Sequence, residues 1–257
     1  MSNIILKSKE EIELLRESNL LVSKTFGLIS KHIKHGVKTI DLDKMAEEFI
    51  RDNNGTPGFK GYKDFPNTLC ISINDEIVHG IPNDRELIEG DIVTIDCGVI
   101  MNEFYGDSAY TFPVGEIKDE LKQLLKITKE SIYKGIEQAK ANNRLGDIGF
   151  AIQNHVQQYN YSIIRDLCGH GVGKDLHEEP RVLNYGKRGS GKKLIEGMVI
   201  AIEPMISMSS NYKIIQEGHV IKTMDKSLSC HFEHSIAITK QGPDILSTFK
   251  YIEENDN

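Results

Sequence analysis

The sequence predicts an α+β domain, with helices covering one face of a largely antiparallel sheet and the whole assembled from two related halves. Three observations carry this. Apolar residues recur at helical spacing in two pairs of segments, each pair is followed by short strand-like runs, and one ten-residue phrase occurs twice. Leu87-Ile-Glu-Gly-Asp-Ile-Val-Thr-Ile-Asp96 returns as Leu194-Ile-Glu-Gly-Met-Val-Ile-Ala-Ile-Glu203. Each copy is preceded by His-x-x-Pro, beginning at His79 and at His177, and each ends on a carboxylate. Only the connectors differ much, with four residues (83–86) in the first half and thirteen (181–193) in the second. A duplicated unit that keeps an acid and a histidine predicts two half-sites meeting across a pseudo-twofold axis. The halves fall at about 8–115 and 117–250 of a single domain spanning residues 1–257.

Taken in order, Ser8-Lys9-Glu10-Glu11 has the form of a capping box, and Ile12, Leu15, Val22, Phe26, Ile29 and Ile33 give the first helix its apolar face. Asp41 is placed to cap a second helix with Leu42, Met45, Phe49 and Ile50 inward, ended by Asn53-Asn54-Gly55. Strands are expected over 70–74, 91–99 and 104–112. The second half repeats the order. One helix carries Leu121, Leu125, Ile132, Ile136 and Ala139, and the next, capped by Asp147, carries Ile148, Ile152 and Val156. Strands follow at 198–203 and 231–239.

With 39% hydrophobic and 27% charged residues and no low-complexity tract, the chain has the composition of a globular protein large enough to form a core without disulfides. Cys70, Cys97, Cys168 and Cys230 form no C-x-x-C pair, which points to buried reduced thiols. The first residues are too short an apolar run for a signal peptide, and no later run approaches membrane-spanning length, so a cytoplasmic location is expected. A net charge of −7 argues against general affinity for nucleic acid, and Lys187, Arg188, Lys192 and Lys193 read as a solvated loop.

The strongest chemical signal is a set of acids at strand positions. A turn centred between Met101 and Asn102 would place Asp96 and Asp107 directly opposite on one face, with Cβ atoms roughly 5 Å apart. Like charges that close must share a proton or hold cations. Glu203 ends an apolar strand just before Pro204, Glu233 alternates against Phe232, Ile236 and Ile238, and His170 lies in the glycine-flanked run Cys168-Gly-His-Gly-Val-Gly173. Two aspartates, two glutamates and a histidine suit divalent ions bridged by carboxylates better than a structural zinc, with Mn, Fe or Co fitting the oxygen-rich set. Two such ions activate water for hydrolysis.

At these residues the chain resembles the type I methionine aminopeptidases in their short bacterial form, within the M24 peptidases of the pita-bread (creatinase/aminopeptidase) fold. The likeness runs from the first helix to Thr239. It is carried by 70–82, by Ile95-Asp96 with Gly106-Asp107, by Gly169-His170-Gly-Val-Gly, Leu176-His177-Glu-Glu-Pro, Ile202-Glu203-Pro and Phe232-Glu233-His234. The resemblance implies two divalent ions (Co, Mn or Fe, with Zn as an alternative) held by Asp96, Asp107, His170, Glu203 and Glu233, with Asp107 and Glu233 bridging. It implies removal of the initiator methionine from nascent chains whose second residue is small, by a monomer with room for a ribosome contact. By the same likeness Glu203 shuttles a proton, His177 stabilises the oxyanion and His79 contacts the scissile amide. Phe59, Tyr62, Phe65 and Cys70, with Leu176, would form the methionine slot.

Departures from the bacterial pattern fall around that slot. His219 stands where several such enzymes carry Trp, His231 where Gln is usual, and 211–217 has the look of a short insertion, so pocket shape is what these changes would alter. Met1-Ser2 has the small second residue such enzymes accept, so the mature chain is expected to begin at Ser2. Three rival readings fit the residues less well. An Xaa-Pro peptidase of the same fold would carry a large extra N-terminal domain, and a binding module without activity would have lost ligand positions. Nucleotide binding at 186–193 lacks both the Ser or Thr after the lysine and a following helix.

Overall fold

The computed structural model describes residues 4–253, so Met1-Ser2 lies outside the described residues. Helix α1 (Lys9–Ser30) opens with the expected capping box, Ser8 Oγ accepting the Glu11 N–H and the Glu11 carboxylate accepting the Ser8 N–H. Ile33 lies beyond its end. Helix α2 (Thr39–Asp52) starts two residues before the expected cap. Its entry is fixed by the Thr39 hydroxyl, which donates to Asn83 O and accepts the Asn83 N–H, so Asp41 sits within the first turn instead. Strands β1 (Leu69–Ile73) and β2 (Glu76–Val78) precede the long hairpin β3 (Ile92–Met101) and β4 (Phe104–Pro113).

The second half begins with α3 (Asp119–Ile136), which ends before Ala139, and α4 (Leu145–Val156). Asp147 is the third residue of α4, where its carboxylate accepts the N–H groups of Arg144 and Gly189, both at 2.7 Å. Then come β5 (Gly169–Gly171), β6 (Glu178–Val182), β7 (Val199–Ile202), β8 (Met205–Ser207), β9 (Ile214–Glu217), β10 (Val220–Thr223), β11 (Ser229–His231), β12 (His234–Thr239) and β13 (Gly242–Ile245). The strand expected over 231–239 is therefore two strands, broken at Phe232-Glu233. All the named strand pairings are antiparallel.

The period of two along the strands separates core from chemistry. Val93, Ile95, Cys97 and Val99 of β3, Ile200 and Ile202 of β7, and Ile236 and Ile238 of β12 enter one large apolar cluster with residues of α1 to α4. Thr94, Asp96 and Gly98 alternate with the β3 residues and so face the other way. Ile12 and Leu15 of α1 join Phe104, Val172, Val199 and Ala237 in a smaller cluster, so the longest helix packs on both halves.

The two copies of the repeated phrase adopt matching geometry. Leu87 and Leu194 are buried, Ile88 and Ile195 are about half exposed, and Gly90 and Gly197 both hold positive φ (92° and 89°). Gly90 N–H donates to Val114 O and Gly197 N–H to Ile238 O, at 2.9 and 3.0 Å. Asp91 N–H and Met198 N–H each return to the exposed isoleucine three residues back, both at 3.1 Å.

The β3–β4 turn corrects the expected register. Asn102 and Glu103 both have positive φ (50° and 67°), forming the two-residue turn whose twist suits a hairpin, and Met101 stays in the strand opposite Phe104. The turn thus lies one residue later than the composition suggested. Asp96 pairs with Ala109, and Asp107 with Gly98. The two aspartates are diagonal neighbours on one face, not directly opposed.

Helix α1 lies against β4 at Gly106, where a Cβ would come within 2.4 Å of the Ser18 carbonyl carbon and 2.5 Å of the Asn19 nitrogen. Gly106→Ala must push helix and strand apart, and is expected to lower stability by about 1–3 kcal/mol. Urea unfolding measures this, and an unchanged midpoint would show that the close approach is not made.

Candidate metal centre and its pocket

One row of paired residues brings the acids together across the two halves. Cys70 on β1 pairs with Asp96, Asp96 with Ala109, and Ala109 with Glu233 through an isolated bridge. His234 pairs with Ile202 and Met205 with His231, so β7–β12 and β8–β11 continue one register on either side of a two-residue gap. In that gap Glu203 and Glu233 face each other. Pro204, which has no N–H to give a ladder, interrupts one strand there. The small Ala109 stands between Asp96 and Glu233 and leaves the space before them open, and Asp107 lies two residues along β4 on the same face. The seam is held by Glu233 N–H to Ala109 O (2.9 Å), Ser108 Oγ to Glu233 O (2.6 Å) and Ser235 Oγ to Asp107 O (2.9 Å).

His170 completes the group from β5. Its Nε2 is 3.6 Å from Asp107 Oδ2 and 3.6 Å from Glu203 Oε1, while its Nδ1 is 2.9 Å from Gly171 O and so carries the proton. That tautomer turns a bare Nε2 towards the acids. Ligand atoms of Asp107, His170 and Glu233 lie within 4.8 Å of one another, and all three residues are buried. Asp96 and Glu203 border the same cavity.

The electrostatics are those of a site built for cations. Burial, more than any other cause, raises the carboxyls of Asp96, Asp107, Glu203 and Glu233 above the usual range. Asp96 adds its charge against Asp107, and both aspartates add theirs against Glu203 and Glu233. Asp96 Oδ1, Asp107 Oδ1 and Glu233 Oε1 are buried without a hydrogen-bond partner among the described residues. Buried oxygens left unpaired are costly, and a divalent ion satisfies several at once. The donor set, four carboxylates and one imidazole, therefore fits divalent metal. Desolvation lowers His170, as neutral ligation requires.

The cavity in front of the acids has a volume of about 360 Å³. Phe59, Phe65, Cys70 and Leu176 form one buried apolar cluster with Tyr62 against it, and all five line the cavity. Gly98 makes this possible, since a Cβ there would come within 2.4 Å of the Phe59 ring. His79, held at positive φ (59°), and His177 both open onto the cavity, and desolvation lowers both imidazoles. Tyr62 Oη is 2.8 Å from His177 Nδ1, with the rings stacked, and the His177 ring centroid is 4.4 Å from that of His170.

The expected pocket departures separate in the structure. His219 lines the cavity edge-on to Phe65, and Gln216, on the strand formed within the 211–217 segment, lines it too. His231 does not line the cavity. It is buried beside Glu203, its Nε2 3.6 Å from Glu203 Oε2, so this change touches the acids instead of the pocket wall. The signal was available, because 231 and 233 share parity along the strand. Sequence reasoning also missed Asn19, whose Oδ1 accepts the Asp107 N–H at 3.2 Å, and Asn184, whose Nδ2 donates to Glu203 O at 2.9 Å. His234 points elsewhere, to Ser247 and Phe249. The lysine-rich loop at 187–193 is exposed, with the Gly189 N–H given to Asp147.

Comparison with known proteins gives a consistent picture. The model of metallopeptidase family M24 matches residues 13–240. The methionine aminopeptidase of Clostridium acetobutylicum is 47% identical over 95% of this chain and 98% of its own length. Methionine aminopeptidase 1 of Bacillus subtilis is 46% identical over 95% and 99%. The crystal structure of methionine aminopeptidase from Rickettsia prowazekii superposes with a TM-score of 0.94 at 40% identity, covering 96% of this chain and all of that one. Prolidase from Pyrococcus furiosus, at 24% identity and a TM-score of 0.77, covers 95% of this chain but 65% of its own and shows the fold alone.

The acids generate a pH prediction. A carboxyl raised in the fold keeps its full contribution to stability below the unfolded value near 4 and loses it as pH rises through the folded value. The buried histidines, lowered in the fold, act in the opposite sense, so a comparison at one position isolates the acid. In chelator-treated protein, Asp107→Asn is expected to raise stability more at pH 8 than at pH 5, by more than about 1 kcal/mol. Urea unfolding at the two pH values tests this, and equal effects at both would refute it.

Proposed function

Because this chain belongs to metallopeptidase family M24 and methionine aminopeptidases match it over nearly their whole length, we propose that it is a methionine aminopeptidase, removing the N-terminal methionine from polypeptides. The observation that carries the proposal is the buried row of acids, with His170, at the head of an apolar slot in a single cavity. In this reading Asp96, Asp107, His170, Glu203 and Glu233 would together hold two divalent ions. The carboxylate-rich set favours Mn, Fe or Co over zinc. The bound ions supply Lewis acidity towards the substrate carbonyl and lower the pKa of water.

The remaining work belongs to the chain's own groups. The slot of Phe59, Tyr62, Phe65, Cys70 and Leu176 takes an unbranched apolar side chain and keeps water from it. Glu203, with its carboxyl raised by burial and by Asp107 and Asp96, can take a proton from water and release it to the leaving amide nitrogen. Tyr62 Oη donating to His177 Nδ1 leaves Nε2–H of His177 to stabilise charge on the carbonyl oxygen. His79, also on the cavity wall and kept neutral by desolvation, accepts the scissile amide N–H.

The proposed partners are nascent N-termini with a small second residue, met by a cytoplasmic monomer that also contacts the ribosome. No described helix is long and apolar enough to cross a membrane. The matched geometry of the two repeated phrases supports a single catalytic domain duplicated over about 8–115 and 117–250.

A panel of Met-Ala-Ser, Ala-Pro and Xaa-Pro peptides, run on chelated protein reloaded with each metal, is expected to give hydrolysis of the methionyl peptide only. His79→Ala and His177→Ala should each lower kcat by about a hundredfold or more with metal content unchanged. Full activity in either would remove that histidine from the site. Gly98→Ala, which displaces Phe59, should raise KM for the methionyl peptide more than it lowers kcat.

A further inference from the structure

His231 closes β11 with its backbone held on both sides by one side chain. The Thr111 hydroxyl donates to His231 O at 2.7 Å and lies 3.1 Å from His231 N, and it also meets the Thr94 hydroxyl at 2.8 Å. The strand pairing of His231 with Met205 fixes its position along Glu203-Pro204. The residue is 1% exposed, and neither Nδ1 nor Nε2 has a hydrogen-bond partner among the described residues. Buried polar atoms are rarely left this way without a purpose.

The acid within reach is Glu203, whose two oxygens face different imidazoles. Oε1 is 3.6 Å from His170 Nε2 and Oε2 is 3.6 Å from His231 Nε2. We propose that His231 is a positioning residue for Glu203: its Nε2–H holds Oε2, so that Oε1 stays turned towards His170 and the metal centre. A small rotation of either group shortens 3.6 Å to a hydrogen bond. With its backbone clamped by Thr111 and its ring buried, the imidazole is an anchored donor, and a carboxylate with one oxygen tied loses the freedom to swing away. The role is that of the outer partners that orient metal ligands. It rests on the metal-centre reading above.

The test titrates Mn²⁺ into the full-length, chelator-treated protein by calorimetry and measures Met-Ala-Ser hydrolysis of the reloaded protein. His231→Leu removes the donor. It should weaken Mn²⁺ binding by about 10- to 100-fold with stoichiometry unchanged, and lower kcat with little change in KM. His231→Gln, whose amide can reach Oε2, should restore both to within about threefold. His231→Asn, equally polar but one methylene shorter, should not, and this pair decides the matter if the leucine variant fails to fold. Equal Mn²⁺ affinity and kcat in wild type, Gln and Asn would overturn the proposal, as would loss of a whole equivalent of Mn²⁺ in the Leu variant, which would make His231 a ligand. A wild-type protein that bound no Mn²⁺ would overturn the metal-centre reading itself.

Discussion

The fold is arranged around four carboxyls drawn together and largely out of water, Asp107 and Glu233 buried and Asp96 and Glu203 partly so. Asp96, Asp107, Glu203 and Glu233 come from two halves of the chain that are far apart in sequence, and the pairing of Asp96 with Ala109 and Ala109 with Glu233 forces them into one row. Burial raises each of them, and the cost of their charged forms is relieved either by protons or by bound cations. The fold must therefore supply, from elsewhere, the energy to hold the acids in register. The large shared core beneath β3, β7 and β12 does so, together with the hydrogen bonds of Ser108, Ser235, Asn19 and Asn184 around the acids.

Much of this was legible in the residues. Periodicity placed α1 to α4, and the capping box at Ser8 fixed the start of α1. The duplicated phrase identified the strand that carries Asp96 and the strand that leads into Glu203, because a buried leucine, an exposed isoleucine and a positive-φ glycine form a local pattern that sequence repeats faithfully. The errors came where non-local contacts decide. Asp41 lost the capping position because the Thr39 hydroxyl finds the backbone of Asn83, far along the chain. The hairpin register missed by one turn position because Glu103, an ordinary-looking residue, accepts a positive φ there while Met101 packs into the core.

The broken strand at Phe232-Glu233 was unreadable for a related reason. Its alternation looks like one continuous strand, and only the partner chain segment at Glu203-Pro204 shows why pairing must lapse. His231, by contrast, was readable from its shared parity with Glu233 and was missed. Read as a substitution in a pocket wall, it proves to be packed behind the acids, in contact with Glu203 and out of the cavity.

That shared lapse in pairing also limits how such a chain can vary in length. The two strands leave one sheet and enter the next at the same level, so a one-residue insertion in either, unmatched in the other, would rotate Glu203 or Glu233 to the opposite side of its ribbon. Length change is tolerable only where no ladder must be kept in step. The unequal connectors, 83–86 against 181–193, differ mainly in the stretch after β6 ends at Val182, and there the chain has room to change length.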